Sequence, residues 1–326
     1  MKIQNASGSI IAMAFPESFV TLTNEGVSKI TPYLGIGNKN GVKAGHAALC
    51  TVNHTSGEIY YYDFGRYVTP NGKGRVRSVK TDEELLIPIT AKMQGKDILN
   101  LEEILIWLHA HPEKTRGDGV LVASVCSSIN LKDAHSFIKL IHDKGSIPYG
   151  VFVKHGSNCA RFTFDTLIAS CEDPTIIKKL AFEKIITPSP LGTISKVSSS
   201  GYIYKVKNGE VKKRKPYSTI SSWKYFFDKP KNKKERGNVC TINNANYLDG
   251  VGSGALFTIE DTGSVDEYLI TRYTESGSKN CQNIFIPDIK NFTLKKPYQF
   301  VYDSNCDHCH IEQGGHTYRF NKKQTN

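Results

Sequence analysis

The chain has 326 residues, of which 39% are hydrophobic and 22% are charged, and its formal net charge is +11. This composition is typical of globular proteins and excludes a wholly disordered or fibrous chain, while the length suggests about two domains. The longest apolar runs fall far short of the roughly 20 residues that span a bilayer, and the apolar stretch near the N-terminus is too brief for a signal peptide. We therefore expect a soluble cytoplasmic protein with no transmembrane segment.

The first half of the chain predicts a mixture of strands and helices. Apolar runs rich in β-formers between turn signals predict strands at 9–15, 18–22, 45–52, 58–64 and 147–153. Capping residues ahead of apolar stripes at helical spacing predict helices that begin at Leu101 and Leu131, the second ending at Gly145, and further helices at 158–170 and 174–186. We expect the strands at 45–52 and 58–64 to form a hairpin.

The character of the sequence changes near residue 187, where Pro and Ser accumulate. Residues 205–236 then carry twelve Lys or Arg against three Asp or Glu, so most of the net charge lies there. Beyond residue 238, short β-rich runs predict strands at 255–259, 268–273, 283–286, 298–302 and 316–320. These shifts predict three parts: an α+β domain at 1–186, a basic connector at 187–237 and a mainly β domain at 238–326.

The basic segment allows two interpretations. Aromatic side chains such as Tyr204 and Trp223 are interleaved with its charges, a pattern that can bind nucleic acid or an anionic surface. A soluble, partly disordered connector has the same composition. We favour the connector, because the chain carries no recognised nucleic-acid motif and a nucleic-acid partner is therefore not expected.

One cysteine and one histidine stand at positions suited to nucleophilic catalysis. Cys159 opens a predicted helix after a cap at Ser157 or Asn158, and a helix N-terminus favours the thiolate and offers N–H groups to an oxyanion. His46 opens a predicted strand between small residues that admit a close neighbour. A histidine within hydrogen-bond reach of such a thiol would complete a nucleophile and base pair. His155 is a rival base, but its loop position predicts exposure.

The predicted hairpin suggests a residue that would orient His46. If Thr51 faces Glu58 across the turn, His46 faces Asp63, and opposed residues share a face of the sheet. A register slipped by two residues would place Tyr61 there instead. We favour Asp63, since a carboxylate fixes the imidazole tautomer and stabilises the imidazolium.

Two short motifs carry a resemblance to a known group of enzymes. With Gly-His-Ala-Ala at 45–48 on a strand and Asn-Cys-Ala-Arg-Phe at 158–162 opening a helix, residues 9–186 resemble the circularly permuted NlpC-type papain-like cysteine hydrolases. That group includes the lecithin:retinol acyltransferase-like enzymes, and in it the histidine precedes the cysteine. The stretches 63–67 and 250–255 are similar to an uncharacterised bacterial family within it.

The resemblance implies a permuted papain-like domain, an antiparallel sheet packed against the cysteine helix, followed here by a mainly β domain. It also implies Cys159 as nucleophile, His46 as base and a polar orienter, often a second histidine, for which this chain offers Asp63 or Tyr61. The expected activity is hydrolysis of an amide, ester or thioester of a small molecule, lipid or peptide, without a cofactor. An acyltransferase with the same residues, or a non-catalytic protein that binds anions or nucleic acid, is the alternative.

Candidate substrate-binding residues are Arg66, Tyr61 and Asn158. Arg66 begins a group of basic residues around the glycine-rich stretch 70–74, which has no Ser or Thr after its lysine as a phosphate-binding loop requires. We expect a solvated hairpin there, and a grip of Arg66 on an anionic part of the substrate is the functional hypothesis.

The cysteines raise a separate question of oxidation and metal binding. Eight cysteines in a chain without an export signal are expected to be thiols. Cys306, Cys309 and His310 have ligand types and spacing that suit zinc, but a second Cys-x-x-Cys is lacking. We favour a pair of thiols at a strand end, with no metal.

Overall fold

The computed structural model describes residues 6–18, 45–150, 153–186, 189–218 and 237–324. Its backbone divides into two compact units, the first formed by residues 1–64, 86–143 and 150–234 and the second by residues 65–85, 144–149 and 235–326. The second unit thus takes two segments from before residue 187, so its boundaries differ from those of the domain predicted at 238–326. The strand predicted at 18–22 lies outside the described residues except for Ser18.

The strands and helices are numbered in chain order. The strands are β1 (Gly8–Phe15), β2 (His46–Asn53), β3 (Ile59–Gly65), β4 (Lys73–Arg77), β5 (Met93–Gln94), β6 (Asp97–Ile98), β7 (Leu121–Ile129), β8 (Ile147–Pro148), β9 (Ile203–Lys207), β10 (Glu210–Arg214), β11 (Asn246–Leu248), β12 (Ala255–Asp261), β13 (Tyr268–Tyr273), β14 (Lys279–Pro287), β15 (Gln299–Val301), β16 (His308–Gln313) and β17 (His316–Lys322). The helices are α1 (Leu101–Ala110), α2 (Pro112–Thr115), α3 (Leu131–His142), α4 (Cys159–Ser170), α5 (Pro174–Ile186) and α6 (Pro190–Val197).

The first unit is built on an antiparallel sheet. Six of its strands lie in the order β10-β9-β7-β1-β2-β3, and each neighbouring pair runs antiparallel. All eight residues of β1 are buried, because that strand has a strand on each side and helices pack on the sheet. This confirms the predicted α+β class with an antiparallel sheet for this part of the chain.

Most helix starts follow the predicted capping chemistry. The side chain of Asn130 accepts hydrogen bonds from the N–H groups of Lys132 and Asp133, so it caps α3 as expected. Asn100 makes no such bond to the first turn of α1, and its side chain instead contacts Thr90, Lys92 and Glu103. The predicted strand at 147–153 is wrong beyond Pro148 for the residues described, since only a two-residue strand forms there.

Strand β7 and helix α6 are absent from the sequence-based prediction, although β7 lies between β1 and β9 in the sheet. Serines interrupt the apolar pattern of β7, so that pattern does not predict a strand there. The buried Ser124 donates to the backbone carbonyl of Ile194 in α6 at 2.7 Å, so the polar group is satisfied inside the core.

The basic segment corrects another prediction. Its first part forms the hairpin of β9 and β10, and β9 pairs with β7 at the edge of the main sheet. The ammonium of Lys213 lies over the ring of Tyr202, 4.3 Å from its centroid, so this charge makes a cation–π contact beside the hairpin. Residues 190–214 are therefore folded parts of the first unit rather than a connector, and residues 219–236 lie outside the described residues.

The second unit is mainly β, as predicted for the C-terminal part of the chain. Its seven-stranded sheet has the order β11-β12-β13-β14-β17-β16-β15, and β4 pairs with β8. The core beneath the sheet is rich in aromatic rings, with Phe292 packed edge-on against Tyr268, Tyr318 and Phe320 at centroid distances of 5.0–5.5 Å. Strand β16, which carries Cys309 and His310, was not predicted.

The expectation that all eight cysteines are thiols is wrong for two of them. Cys281 on β14 and Cys306 in the loop before β16 form a disulfide, with Cα atoms 6.2 Å apart, within the range that a disulfide spans. Cys306 is therefore not a thiol at a strand end and has no thiolate to offer zinc. Among the residues that the structure describes, no group of three or more His, Cys, Asp or Glu is arranged to hold a metal ion.

The expected solvated hairpin around residues 70–77 is also wrong, because its arginines are buried. Arg75 and Arg77 are 4% and 1% exposed. Arg75 makes a bidentate pair with Asp82 at 2.7 and 2.8 Å, and Arg272 of β13 donates to the same carboxylate at 2.8 Å. Arg77 lies over the ring of Tyr67 at 4.0 Å.

The carboxylate of Asp82 holds this buried cluster together. Burial alone would raise the pKa of Asp82, but the adjacent guanidinium groups of Arg75 and Arg272 outweigh it and hold the pKa well below its usual range. The hydrogen bond between Arg272 and Asp82 also joins residues 75–82 to β13, far along the chain. It thereby fixes residues 65–85 within the second unit.

We predict that Asp82→Asn destabilises the protein by about 3–5 kcal/mol, since the two buried guanidinium groups of Arg75 and Arg272 lose the carboxylate that they share. Urea unfolding followed by circular dichroism measures the change. The matched control is Glu210→Gln, which removes an exposed carboxylate beside Lys212 on β10 and should cost under about 1 kcal/mol.

The pH dependence of unfolding provides the second readout for Asp82→Asn. Because the native pKa of Asp82 is depressed, its contribution is present above the unfolded pKa of about 3.9 and is lost as the pH falls toward the native value. The natural protein should therefore lose stability below about pH 5 more steeply than the variant does. Parallel acid profiles for the two proteins would contradict this account of the cluster.

Candidate active site

His46 is the first residue of β2 and follows Gly45, whose φ of +71° lies in the left-handed region that favours glycine. Across the sheet His46 pairs with Phe15 of β1, and the two rings stack with centroids 6.3 Å apart. The pairing of β2 with β1 and the stacked ring of Phe15 thus fix the position of the imidazole, and only 8% of His46 is exposed.

The carboxylate of Asp63 contacts this imidazole. His46 Nε2 lies 3.2 Å from Asp63 Oδ2, and Asp63 is fully buried. The hydroxyl of Tyr61 lies 3.0 Å from the same carboxylate oxygen and 3.1 Å from the carbonyl oxygen of Thr115, and its single proton can be donated to only one of them at a time. His46, Asp63 and Tyr61 therefore form one buried polar chain.

The register that produces this contact differs from the predicted one. Asp63 pairs directly with Ala48 rather than with His46. The shift is two residues, opposite in direction to the alternative that would have placed Tyr61 opposite His46. Because side chains alternate with period two, a two-residue shift keeps Asp63 on the face of His46, and the two meet diagonally. The predicted contact is present although the predicted pairing is wrong.

Cys159 is the first residue of α4 and is 7% exposed. Asn158 has an extended backbone and caps the helix, since its Oδ1 accepts from the N–H of Arg161 at 2.9 Å. The first turn contains no acidic side chain that would oppose a thiolate. The thiol thus lies at the positive end of a capped helix, which is the local environment that the sequence predicts for it.

The direction of α4 determines which end of β2 its cysteine approaches. The carbonyl at the end of α4 accepts a hydrogen bond at 2.9 Å from Asn130, which directly follows β7. The end of β7 pairs with the start of β1, which pairs with the end of β2. In the first turn of α4, Phe162 contacts Phe64 near the end of β3, with centroids 6.2 Å apart. Helix α4 therefore runs parallel to β2, and Cys159 lies at the end where His46 begins the strand.

Near that end, the His46–Asp63 pair and helix α4 lie on different faces of the sheet. His46 and Asp63 share one face, together with the Tyr61 hydroxyl and the Thr115 carbonyl. Phe64 follows Asp63 in β3 and so points to the other face, where it meets α4.

The remaining predicted site residues are placed as follows. Tyr61 is 3% exposed and lies behind Asp63, and Asn158 is engaged in capping. Arg66 belongs to the second unit, where its guanidinium lies 4.9 Å from the ring centre of Tyr149. His155 is exposed in its loop, as expected. The Thr115 carbonyl is the contact that sequence reasoning missed, since it lies 54 residues from Tyr61 with no local pattern to mark it.

The fold and these contacts define a two-unit α+β protein in which an antiparallel sheet carries a buried histidine–carboxylate pair and a capped helix starts with a cysteine. A family model described as type VI secretion system effector TseH-like matches residues 10–176, just over half of the chain. The chain therefore belongs to the TseH-like family of type VI secretion system effectors. A second model, described as the DUF6695 C-terminal domain, matches residues 245–323.

The other comparisons add a solved structure. The crystal structure of a type VI secretion system effector, TseH, aligns with 65% of this chain and 100% of its own, at 17% sequence identity and a TM-score of 0.42. Comparison with curated proteins finds no match. Within the described parts of the chain, no helix has both the length and the apolar character needed to cross a membrane.

We predict that Asn158→Ala lowers the free energy of unfolding by about 1 kcal/mol, because the N–H of Arg161 loses its acceptor. Asn158→Asp keeps an acceptor at the same position and adds a charge that the helix N-terminus favours, so it should retain the stability. Urea denaturation of the three proteins makes the comparison. Equal stability of Asn158→Ala and the natural protein would contradict a capping role.

Proposed function

We propose that this effector is a cysteine hydrolase with a permuted papain-like first domain, in which Cys159 is the nucleophile and His46 the base. The observation that carries the proposal is the buried contact between His46 Nε2 and Asp63 Oδ2 at 3.2 Å, at the end of β2 that the start of α4 also reaches. Nucleophilic catalysis requires a histidine that is held by a carboxylate and lies within reach of a thiol, and a helix N-terminus favours the thiolate.

Each residue has a defined task in the proposed reaction. Asp63 holds Nε2 of His46, so Nδ1 is the nitrogen that takes the proton of the Cys159 thiol. The thiolate attacks the carbonyl carbon of the substrate, and the N–H groups at the start of α4 stabilise the oxyanion. His46 returns its proton to the leaving amine, and an acyl-enzyme forms. His46 then deprotonates the water that releases the acid and frees Cys159.

The substrate class that suits this chemistry is an acyl compound with a scissile amide, such as a peptide. An ester or thioester would react by the same steps, and an amine or hydroxyl acceptor in place of water would make the protein an acyltransferase. The reaction as proposed proceeds without a cofactor. Tyr61 has a positioning role here, because its hydroxyl contacts the Asp63 carboxylate from a buried position.

We further propose that the protein works after delivery into an oxidising compartment rather than in the cytoplasm where it is made. Membership in a family of secretion-system effectors supports this proposal. The Cys281–Cys306 disulfide supports it independently, since disulfides persist in oxidising compartments and are rare in reducing ones.

The pH dependence of iodoacetamide labelling, mapped on native protein by peptide mass spectrometry, tests the proposed pair. We expect Cys159 to be alkylated at pH 6 at least about tenfold faster than the other free cysteines, because the proposed pair gives its thiol an activating histidine. Burial raises the pKa of the thiols of Cys50 and Cys309, the latter to about 12, so those two should react slowly.

Two variants distinguish activation by His46 from simple accessibility. In His46→Ala the labelling of Cys159 should shift to a pH near the ordinary thiol pKa of about 8.5. His155→Ala is the matched control, since it removes an exposed histidine only four residues from Cys159, and it should leave the profile unchanged. Slow labelling of Cys159 in the natural protein, or a shift in His155→Ala alone, would refute the assignment.

A further inference from the structure

Two further cysteines face each other inside the first unit. Cys126 lies on β7, Cys171 directly follows α4, and their sulfur atoms are 3.7 Å apart. Both are buried, and both are thiols. The pair lies at the end of α4 opposite Cys159, about 18 Å along a helix of twelve residues, so it takes no part in the proposed reaction.

The backbone holds both cysteines in place. The N–H of Cys171 donates to the carbonyl of Leu167 in the last turn of α4 at 2.8 Å. Cys171 also forms an antiparallel bridge with Ile129, at the end of the strand that carries Cys126. The main-chain hydrogen bonds and strand pairing on each side therefore place the two sulfur atoms opposite each other. Closing the gap to the ~2.05 Å of a disulfide requires a shift of under about 2 Å shared by two side chains.

We propose that Cys126 and Cys171 are a dithiol that closes to a second disulfide when the folded chain meets a disulfide oxidant, such as glutathione disulfide or a thiol–disulfide oxidoreductase. The separation of the sulfur atoms and the bridge beside Cys171 carry this proposal. The Cys281–Cys306 bond within the same chain shows that this protein accommodates one disulfide already.

The reaction runs in two exchange steps. The Cys171 thiolate attacks one sulfur of glutathione disulfide, and a mixed disulfide forms as glutathione leaves as a thiolate that takes up a proton. Cys126 then gives up its proton and attacks the Cys171 sulfur, which expels the second glutathione. Two protein thiols and one glutathione disulfide thus become one protein disulfide and two reduced glutathione molecules.

Exposure and the hydrogen bond between the two thiols assign these roles. Either sulfur can be the donor in this bond, and once Cys171 is the thiolate only Cys126 can donate, so the bond lowers the pKa of Cys171 against the opposing effect of burial. The same bond and burial both raise the pKa of Cys126. Cys171 is 7% exposed whereas Cys126 is fully buried, so Cys171 is also the sulfur nearer to an external oxidant. Cys171 is therefore the attacking thiol and Cys126 the resolving one.

The bond would close a loop with a sequence separation of 45 that includes α3 and α4. It would tie the end of α4 covalently to β7 and restrict the unfolded chain. We expect the melting temperature of the full-length protein to rise by on the order of 5–10 °C when this bond forms.

The test incubates the full-length protein with glutathione disulfide, blocks remaining thiols with N-ethylmaleimide under denaturing conditions, and maps the cysteines after non-reducing digestion. We expect a cross-linked peptide that joins Cys126 to Cys171, with loss of two hydrogen atoms and no retained glutathione. The Cys281–Cys306 bond is the internal standard, because its presence shows that the conditions are oxidising.

Variants separate the new bond from general oxidation. Cys171→Ser should lose both the cross-link and the rise in melting temperature, measured against the same variant before incubation with the Cys281–Cys306 bond formed in both samples, which controls for any cost of the substitution to folding. Cys240→Ser, which removes a half-buried free thiol of the second unit, should retain both. Full alkylation of Cys126 and Cys171 while Cys281–Cys306 is oxidised, or a stable glutathione adduct on Cys171 without ring closure, would overturn the proposal.

Discussion

The pairing of β2 with β1 on one side and β3 on the other is the constraint on which the candidate site depends. It places His46 opposite the ring of Phe15 and brings Asp63 to it diagonally, although these residues come from three separate strands. A carboxylate as fully buried as Asp63 needs polar partners, and His46 and Tyr61 supply them. A shift of this register by a single residue would turn Asp63 to the other face and leave His46 without it.

A second charged cluster performs a comparable task in the other unit. Asp82 joins Arg75, which lies early in the chain, to Arg272 on β13, and so makes an inserted segment part of a mainly β unit. Arg272 also lies 3.5 Å from the sulfur of Cys306, one half of the disulfide. Charge pairing and covalent bonding thus meet in one buried region, and each fixes residues that are distant in sequence.

Local signals in the sequence predicted local structure well. The caps at Asn130 and Asn158, the apolar stripe of α3 and the β-rich runs of the C-terminal part all correspond to observed elements, because short-range hydrogen bonds and periodicity determine them. The exposure of His155 and the contact of His46 with Asp63 followed from the same reasoning, and the contact survived an error in register because the error was an even number of residues.

Features that depend on distant partners could not be predicted in this way. The serines of β7 resemble a loop until Ile194 is known to accept from Ser124, and the basic stretch at 203–214 resembles a connector until β9 is seen beside β7. The basic residues near 75 suggest a solvated hairpin, because Asp82, which pairs with Arg75, and Arg272 on β13, which shares that carboxylate, are not adjacent to them in sequence. The Cys281–Cys306 bond likewise depends on the fold.

The most direct test of the account is to trap an acyl group on the protein. A brief reaction with p-nitrophenyl acetate, quenched in acid and analysed by intact and peptide mass spectrometry, should show one acetyl group, located on Cys159, with a burst of p-nitrophenol of about one equivalent per chain. The burst should be lost in His46→Ala and persist in His155→Ala. Acetylation spread over several residues, or located on a cysteine other than Cys159, would contradict the claim that this thiol and His46 carry acyl chemistry.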